Sequence, residues 1–384
     1  MSAWRLYEAN FSMTLSLLRI TFGLLAFGLL SLGISAHADP PAVTISVTDL
    51  GTLGGSASSG FGVNNKGQVA GTSRMPGDKT LHGFFYSDGK MTDLGTFGGD
   101  QSEACALNDA GQVTGNADLK AKNRPHAFLW QRGHMSDLGT SRADDSYGLA
   151  INSAGQVVGR IIRGASGSSR ACLWSGGKVD TLDTSNVYSN VCGSEADAIN
   201  SRGQVAGTLR KPGRHLTEPV MVTYYSDHAA LWREHKAFEL GAAGAEISLA
   251  NAINDGGQVA GAVSFGPDMS LHACLWRSGK MTDLGTLAGQ NTVAYAINRA
   301  GLMVGGTNPN GLEENGKQFG DADQPQHAVC CTGSEIVDLN YLIDAASGWV
   351  LADARSISDT GYVTGTGIHN GLAHAYLLKL PPNF

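Results

Sequence analysis

Three carboxylates and a phenol stand at one recurring position of this chain, the start of a repeated inner strand: Glu103, Tyr147, Glu195 and Asp353. In the remaining copies that position holds Ser59, Leu249 and Val293, so it varies while its neighbours repeat. Such a group can bind a cation or a polyol. It can also supply the acid and base for glycoside or ester chemistry. Solvated rim charges are the plain alternative. Two insertions add polar side chains. Residues 208–227 carry Arg210, Lys211, Arg214 and His215, followed by Tyr224 and Tyr225; residues 306–326 carry Glu313, Glu314, Asp321 and Asp323. Each insertion also reads as a solvated loop.

Histidine is the side chain best suited to proton transfer near neutral pH. Here it recurs at His82, His126, His228, His272, His327 and His374, with Arg170 in the seventh copy. Six histidines at one repeat position cannot converge on one substrate. A shared structural hydrogen bond to a repeated Asp or Asn accounts for all of them. Asp49, Asp93, Asp137, Asp283 and Asp338 recur in the same manner and take the same reading. The Gly54-Gly55 and Gly98-Gly99 pairs follow strands and open no helix, so they make no phosphate loop. Neither a Gly-x-Ser-x-Gly elbow nor a Cys or His pair at zinc spacing is present, and no metal or cofactor is expected. The six cysteines read as small buried hydrophobes, Cys192 alone falling in a loop.

Three repeated elements must position these residues. An Asn-x-x-Gly-Gln-Val turn occurs at Asn64–Val69 and Asn108–Val113 and returns around Gly155, Gly203, Gly257, Gly301 and Gly361. The histidine element reads His126-Ala127-Phe128-Leu129-Trp130 in its fullest form, and Asp-Leu-Gly-Thr follows it at 137–140. Successive turn glycines lie 44, 44, 48, 54, 44 and 60 residues apart, which suits a four-stranded propeller blade. Alternation in Glu103–Asn108 marks the first strand, and the turn glycine closes the first hairpin. Trp130, Trp174, Trp232 and Trp276 read as packing between blades. The first copy, Thr44–Thr52, is a lone fourth strand, and the last, Arg355–Leu380, lacks its fourth. The N-terminal strand can therefore complete the C-terminal blade, giving an all-β, seven-bladed propeller over residues 39–384 with its edge removed. No helix is expected in it.

These motifs resemble the HAF repeat of bacterial extracellular repeat proteins across residues 43–380. The resemblance implies secretion and a repeat fold but no catalytic residues. Residues 1–38 read as a signal peptide: an apolar run over Leu15–Ile34 ends in the small-x-small site Ala36-His37-Ala38. The mature chain is expected in the periplasm or the medium, as a monomer with no membrane span. A net charge of −7 without basic clusters argues against nucleic acid as a partner. The longer, variable connections emerge on one face of the disc, where recognition is usually placed. A non-catalytic module binding a glycan, peptide or envelope component there is favoured. The alternative is a hydrolase or lyase using Glu103, Glu195 and Asp353.

Overall fold

Residues that fit a half-buried pleated surface, broken by glycine turns every few positions, form 29 short strands in a computed structural model of the chain. The structure describes residues 44–384 apart from 121–123, 140–143, 164–167, 186, 188–190, 218–219, 243, 266–269, 289–290, 308–325, 334 and 383. The signal peptide expected at 1–38 lies outside the described residues, as do Glu313, Glu314, Asp321 and Asp323.

Seven antiparallel sheets, each ordered as a meander, make a seven-bladed β-propeller. Blade 1 holds β2 (Ser58–Val63), β3 (Val69–Arg74), β4 (Leu81–Ser87) and β5 (Lys90–Asp93). Blade 2 follows with β6 (Gly98–Leu107), β7 (Val113–Leu119), β8 (Pro125–Gln131) and β9 (His134–Asp137). Blade 3 contains β10 (Asp145–Ile151), β11 (Val157–Ile162), β12 (Ser169–Ser175) and β13 (Lys178–Thr181). Blade 4 contains β14 (Gly193–Ile199), β15 (Val205–Thr217), β16 (Val220–Arg233) and β17 (Lys236–Glu239). Blade 5 runs from β18 (Ile247–Ile253) through β19 (Val259–Ser264) and β20 (Leu271–Arg277) to β21 (Lys280–Gly285). Blade 6 runs from β22 (Thr292–Ile297) through β23 (Met303–Thr307) and β24 (Ala328–Cys331) to β25 (Ile336–Asp338).

Blade 7 is composite. Its inner strand is split into β26 (Trp349–Leu351) and β27 (Ser356–Ile357), followed by β28 (Tyr362–His369) and β29 (Leu372–Lys379). The fourth strand is β1 (Val47–Asp49), which pairs with β29 through Val47–Leu378, Thr48–Leu377 and Asp49–Tyr376. The N-terminal strand thus closes the ring. Two details differ from the sequence expectation. Short 3-10 turns occupy Leu339–Leu342 and Ala345–Ser347, each opened by an aspartate (Asp338, Asp344) whose carboxylate accepts an amide two residues on. Residues 208–227 are not an irregular loop: β15 and β16 continue past their neighbours as a two-stranded ribbon, paired from Val205–Trp232 to Thr217–Val220. Pro212 is tolerated in it because β14 pairs only as far as Arg210, so the proline lies on a free edge and removes no ladder bond.

The repeated asparagine explains how blades meet. Asn108 Nδ2 donates to Gln112 Oε1 at 2.7 Å and to the carbonyl of Asn152 in the next blade at 3.0 Å. Its Oδ1 accepts from the amides of Ala110 and Gln112. The inter-blade bond recurs from Asn64 to Asn108, Asn152 to Asn200, Asn200 to Asn254 and Asn254 to Asn298. These asparagines are buried. The turn glycine between them has φ from +73° to +91° in all seven copies, a region that other residues enter at a cost. Serines form a second inter-blade set: the hydroxyls of Ser58, Ser102, Ser146, Ser194 and Ser248 accept amides of the preceding blade's third strand.

The core lies between blades. Trp232 packs with Val158, Ala171 and Leu182 of blade 3, and Trp276 with Ala206, Ala229 and Leu240 of blade 4. The histidines pair with the last strand of their own blade: His82 with Asp93, His126 with Asp137, His272 with Asp283, His327 with Asp338 and His374 with Asp49. His228 takes Glu239 instead, at 2.9 Å. The repeated aspartates also accept an amide two residues on, as at Gly51, Gly95, Gly139 and Gly285. All six cysteines are free, and burial raises the thiol pKa values of Cys105, Cys172, Cys274, Cys330 and Cys331, which keeps them protonated and unreactive.

Asn108→Ala takes one of two donors from the Asn152 carbonyl and leaves the Ala110 and Gln112 amides without their side-chain acceptor, so it should lower stability by about 2–4 kcal/mol in urea unfolding. Lys66→Ala, an exposed residue of the same kind of turn whose backbone alone is bonded, should cost under about 1 kcal/mol by the same measure. Equal effects would refute the belt's role.

Candidate functional site at the channel mouth

A bulge interrupts every inner strand of blades 1 to 6, and a glycine explains it. In blade 4 the register shifts between Ala196 and Ala198, leaving Asp197 unpaired. The facing Gly207 lies so close to the Glu195 carbonyl that a Cβ there would collide with it. The same contact joins Gly71 to Ser59, Gly115 to Glu103, Gly159 to Tyr147, Gly261 to Leu249, Gly305 to Val293 and Gly365 to Asp353. Each inner strand therefore presents two residues to the channel, the one at its mouth and the bulged one two positions on. The second layer comprises Phe61, Cys105, Leu149, Asp197, Asn251, Tyr295 and, by position, Arg355.

At blades 3 to 5 these layers border a cavity of about 240 Å³. Its wall includes Arg160, Glu195, Asp197, Arg210, Asp227 and Asn251. Arg160 Nη1 donates to Glu195 Oε2 at 2.7 Å, and its guanidinium lies 4.7 Å from the Tyr147 ring centroid. Its Nε is buried without a protein partner. Arg210 forms a bidentate pair with Asp227, at 2.9 and 3.1 Å. Asn251 Nδ2 bonds the Ala294 carbonyl, 2.9 Å away, and Thr208 contacts Asp197 through a long 3.4 Å bond.

Protonation differs sharply across the wall. Burial raises the pKa of Asp197 well above the ordinary carboxyl value, and the charge of Glu195 adds to the rise; Arg160 and the Thr208 bond oppose it only in part. By surface area Asp197 is half-buried in the cavity wall. The direction of its shift is upward. Arg160 holds its charge against burial because Glu195 faces it. The site thus joins ion-paired carboxylates to one carboxyl that favours its proton.

The residues expected from sequence are distributed unequally. Glu195 and Arg210 line the cavity, and Tyr147 lies beneath Arg160 beside it. Glu103 belongs to blade 2, where Asn116 Nδ2 approaches it at 3.5 Å. Asp353 belongs to blade 7. Its carboxylate takes the Thr366 amide and Arg355 Nε, both at 2.8 Å, and only 9% of the residue is exposed. Arg355 in turn lies over the Tyr295 ring. The three carboxylates therefore do not form one acid–base group. Lys211 bonds Glu239 on the outer strand of blade 4. The side chains of Arg214, His215, Tyr224 and Tyr225 lie outside the described residues, although their backbones pair in the ribbon. Arg160, Asp197 and Asp227 were not singled out from sequence. Comparing the second channel layer across repeats would have found Asp197, since that position also varies.

No protein-family model matches this chain, and no curated protein does. Solved structures similar to it are β-propellers and other proteins of low identity. A puromycin-hydrolyzing peptidase of Mycobacterium tuberculosis superposes with a TM-score of 0.53 at 9% identity, over 89% of this chain and 52% of that one. The extracellular domain of a putative hybrid two-component system from B. thetaiotaomicron gives 0.50 at 10% identity, over 87% and 39%. The β-propeller domain of the Trilobed protease from Pyrococcus furiosus gives 0.47 at 12%, over 74% and 82%. The chain spans about half of the peptidase and less of the sensor. At these identities the likeness concerns the fold alone.

Asp197→Asn tests the site's electrostatics. The folded state binds a proton at Asp197 at pH values where the unfolded chain has lost it, so that group's contribution to stability falls as pH rises from the ordinary carboxyl value through the raised one. The variant should gain melting temperature at pH 7 and show a flatter decline between weakly acidic and neutral pH. A loss at pH 7 would contradict the raised value.

Proposed function

We propose that the protein is an exported repeat protein of the HAF type, which binds a polyhydroxylated ligand such as a glycan without transforming it, at the channel mouth of blades 3 to 5. The observation that carries the reading is the wall itself: Glu195 and Asp227 are fixed by Arg160 and Arg210, yet the carboxylate pairs still border an open cavity. Carboxylates held in this way keep lone pairs for ligand hydroxyls, and the exposed Arg210 guanidinium has further N–H groups to donate. A neutral, hydroxyl-rich molecule satisfies both without disturbing either ion pair. Export follows from the leader read at residues 1–38. No helix among the described residues is long and apolar enough to cross a membrane.

The second reading is a hydrolase or lyase. Asp197 favours it, because a carboxyl that keeps its proton beside the ion-paired Glu195 is suited to general acid catalysis. The purified mature protein should be screened against envelope and secreted glycans, with retention and product masses both read by mass spectrometry. Retention of unchanged ligand is expected. In that assay Glu195→Gln and Asp227→Asn should each weaken retention about tenfold or more, the loss of one or two charged hydrogen bonds. Altered product masses, abolished by Asp197→Asn, would establish the enzyme instead.

A further inference from the structure

Five blades join one histidine to an acidic side chain, but the closing blade joins two histidines to one aspartate. His374 Nδ1 lies 2.9 Å and His369 Nδ1 2.9 Å from Asp49 Oδ2. The three ligand atoms fall within 4.8 Å of one another, and no other such group of three occurs among the described residues. His374 is the repeated histidine. His369 is an addition at the end of β28, and its counterparts in the other blades are not metal-ligating residues paired to the same acid.

The hairpin geometry brings the two histidines together. His369 pairs with Leu372, and His374 with Gly367, so both side chains stand on one face of the β28–β29 hairpin. Asp49 reaches that face from β1, opposite Tyr376. Trp349 stacks on the His369 ring at 4.4 Å and 5°, which fixes the imidazole plane. A side chain at Gly367 would collide with that indole, so glycine leaves room for the stack. All three ligands are partly exposed, with 26%, 16% and 30% of the side chain accessible at His369, His374 and Asp49, so an ion can enter from solvent.

We propose that Asp49, His369 and His374 form a divalent transition-metal site, best suited to Zn²⁺, that fastens the N-terminal strand to the last hairpin. Two neutral imidazoles and a carboxylate are a common donor set for this ion, and a water completes the tetrahedron. With Zn–N and Zn–O bonds of about 2.0–2.2 Å, neighbouring ligand atoms lie about 3.0–3.5 Å apart. The two nitrogen–carboxylate spacings of 2.9 Å are close to this, and the two nitrogens, within 4.8 Å of one another, draw together as the ion binds. Zinc needs both Nδ1 lone pairs, so each neutral imidazole binds as the tautomer that carries its one proton on Nε2, with no net release of protons, and the Asp49 carboxylate exchanges its imidazole contacts for the ion. Sequence spacing alone does not expose the site, because Asp49 lies 320 residues from His369.

The test uses the mature chain without a histidine tag, stripped with chelator and titrated calorimetrically with zinc chloride. One equivalent should bind and raise the melting temperature. His369→Phe keeps a ring on Trp349 and removes the ligand; it should weaken zinc binding about 100-fold or more while the metal-free melting temperature stays near that of the parent. Cobalt substitution should give the visible bands of a four-coordinate site in the parent only. No binding below about 1 mM zinc, or equal binding by parent and His369→Phe, would overturn the proposal.

Discussion

The buried backbone carbonyl that ends the inner strand in blades 2 to 6 has two lone pairs to satisfy: the turn glycine's amide takes one, and an asparagine amide of the preceding blade takes the other. That one requirement orders much of the molecule. The amide is held by a glutamine four residues on, the carbonyl oxygen of the side chain caps the turn, and the turn needs a glycine in the left-handed region. The Asn-x-x-Gly-Gln motif is therefore a joint between blades as much as a hairpin. Blades so joined are spaced closely enough for the tryptophans to fill the gaps between them. In blade 7 the belt changes chemistry. Ser358 stands at the asparagine position, and Thr360 bonds the Asn65 backbone and side chain across the closure.

The same architecture separates scaffold from site. Glycine contacts behind the inner strands force the bulge, and the bulge sends two consecutive layers of side chains into the channel. Those positions touch no repeated partner, so they can differ from blade to blade without loosening the ring. Blade 4 carries the largest departures: two adjacent acidic layers, an arginine from blade 3 and a lengthened central hairpin. Charge is concentrated there because every ionic group has a partner, except the one carboxyl whose proton makes a partner unnecessary.

Repetition made the fold readable. Seven turn glycines and an unmatched strand at each end specify the ring and its closure, and the His–Asp pairing follows from a position that recurs six times. What repetition explains it also hides. Asp197 lies two residues past Glu195, on the face a regular strand would share with it, but no repeated residue type marks that second position or its place in the cavity wall. Arg160 and Asp227 belong to second and third strands whose pattern reads as structural, and they reach the cavity through ion pairs across blades or within blade 4. Asp353 shows the opposite failure: a residue that varies like a site residue, but whose carboxylate is spent on Thr366 and Arg355. The ribbon at 208–227 read as a solvated loop because its length breaks the repeat, and no pattern within it marks paired strands.

Closure of the ring by β1 carries the rest of the account, and a cross-strand disulfide measures it most directly. Thr48 and Leu377 are register partners. Directly opposed antiparallel residues have Cα atoms about 4.5–5.5 Å apart, within the reach of a disulfide. The Thr48→Cys/Leu377→Cys double variant, oxidised in dilute solution and digested for mass spectrometry, should yield one intramolecular 48–377 crosslink in nearly every molecule. Free thiols at both positions, or crosslinks joining two chains, would show that the N-terminal strand does not complete the last blade.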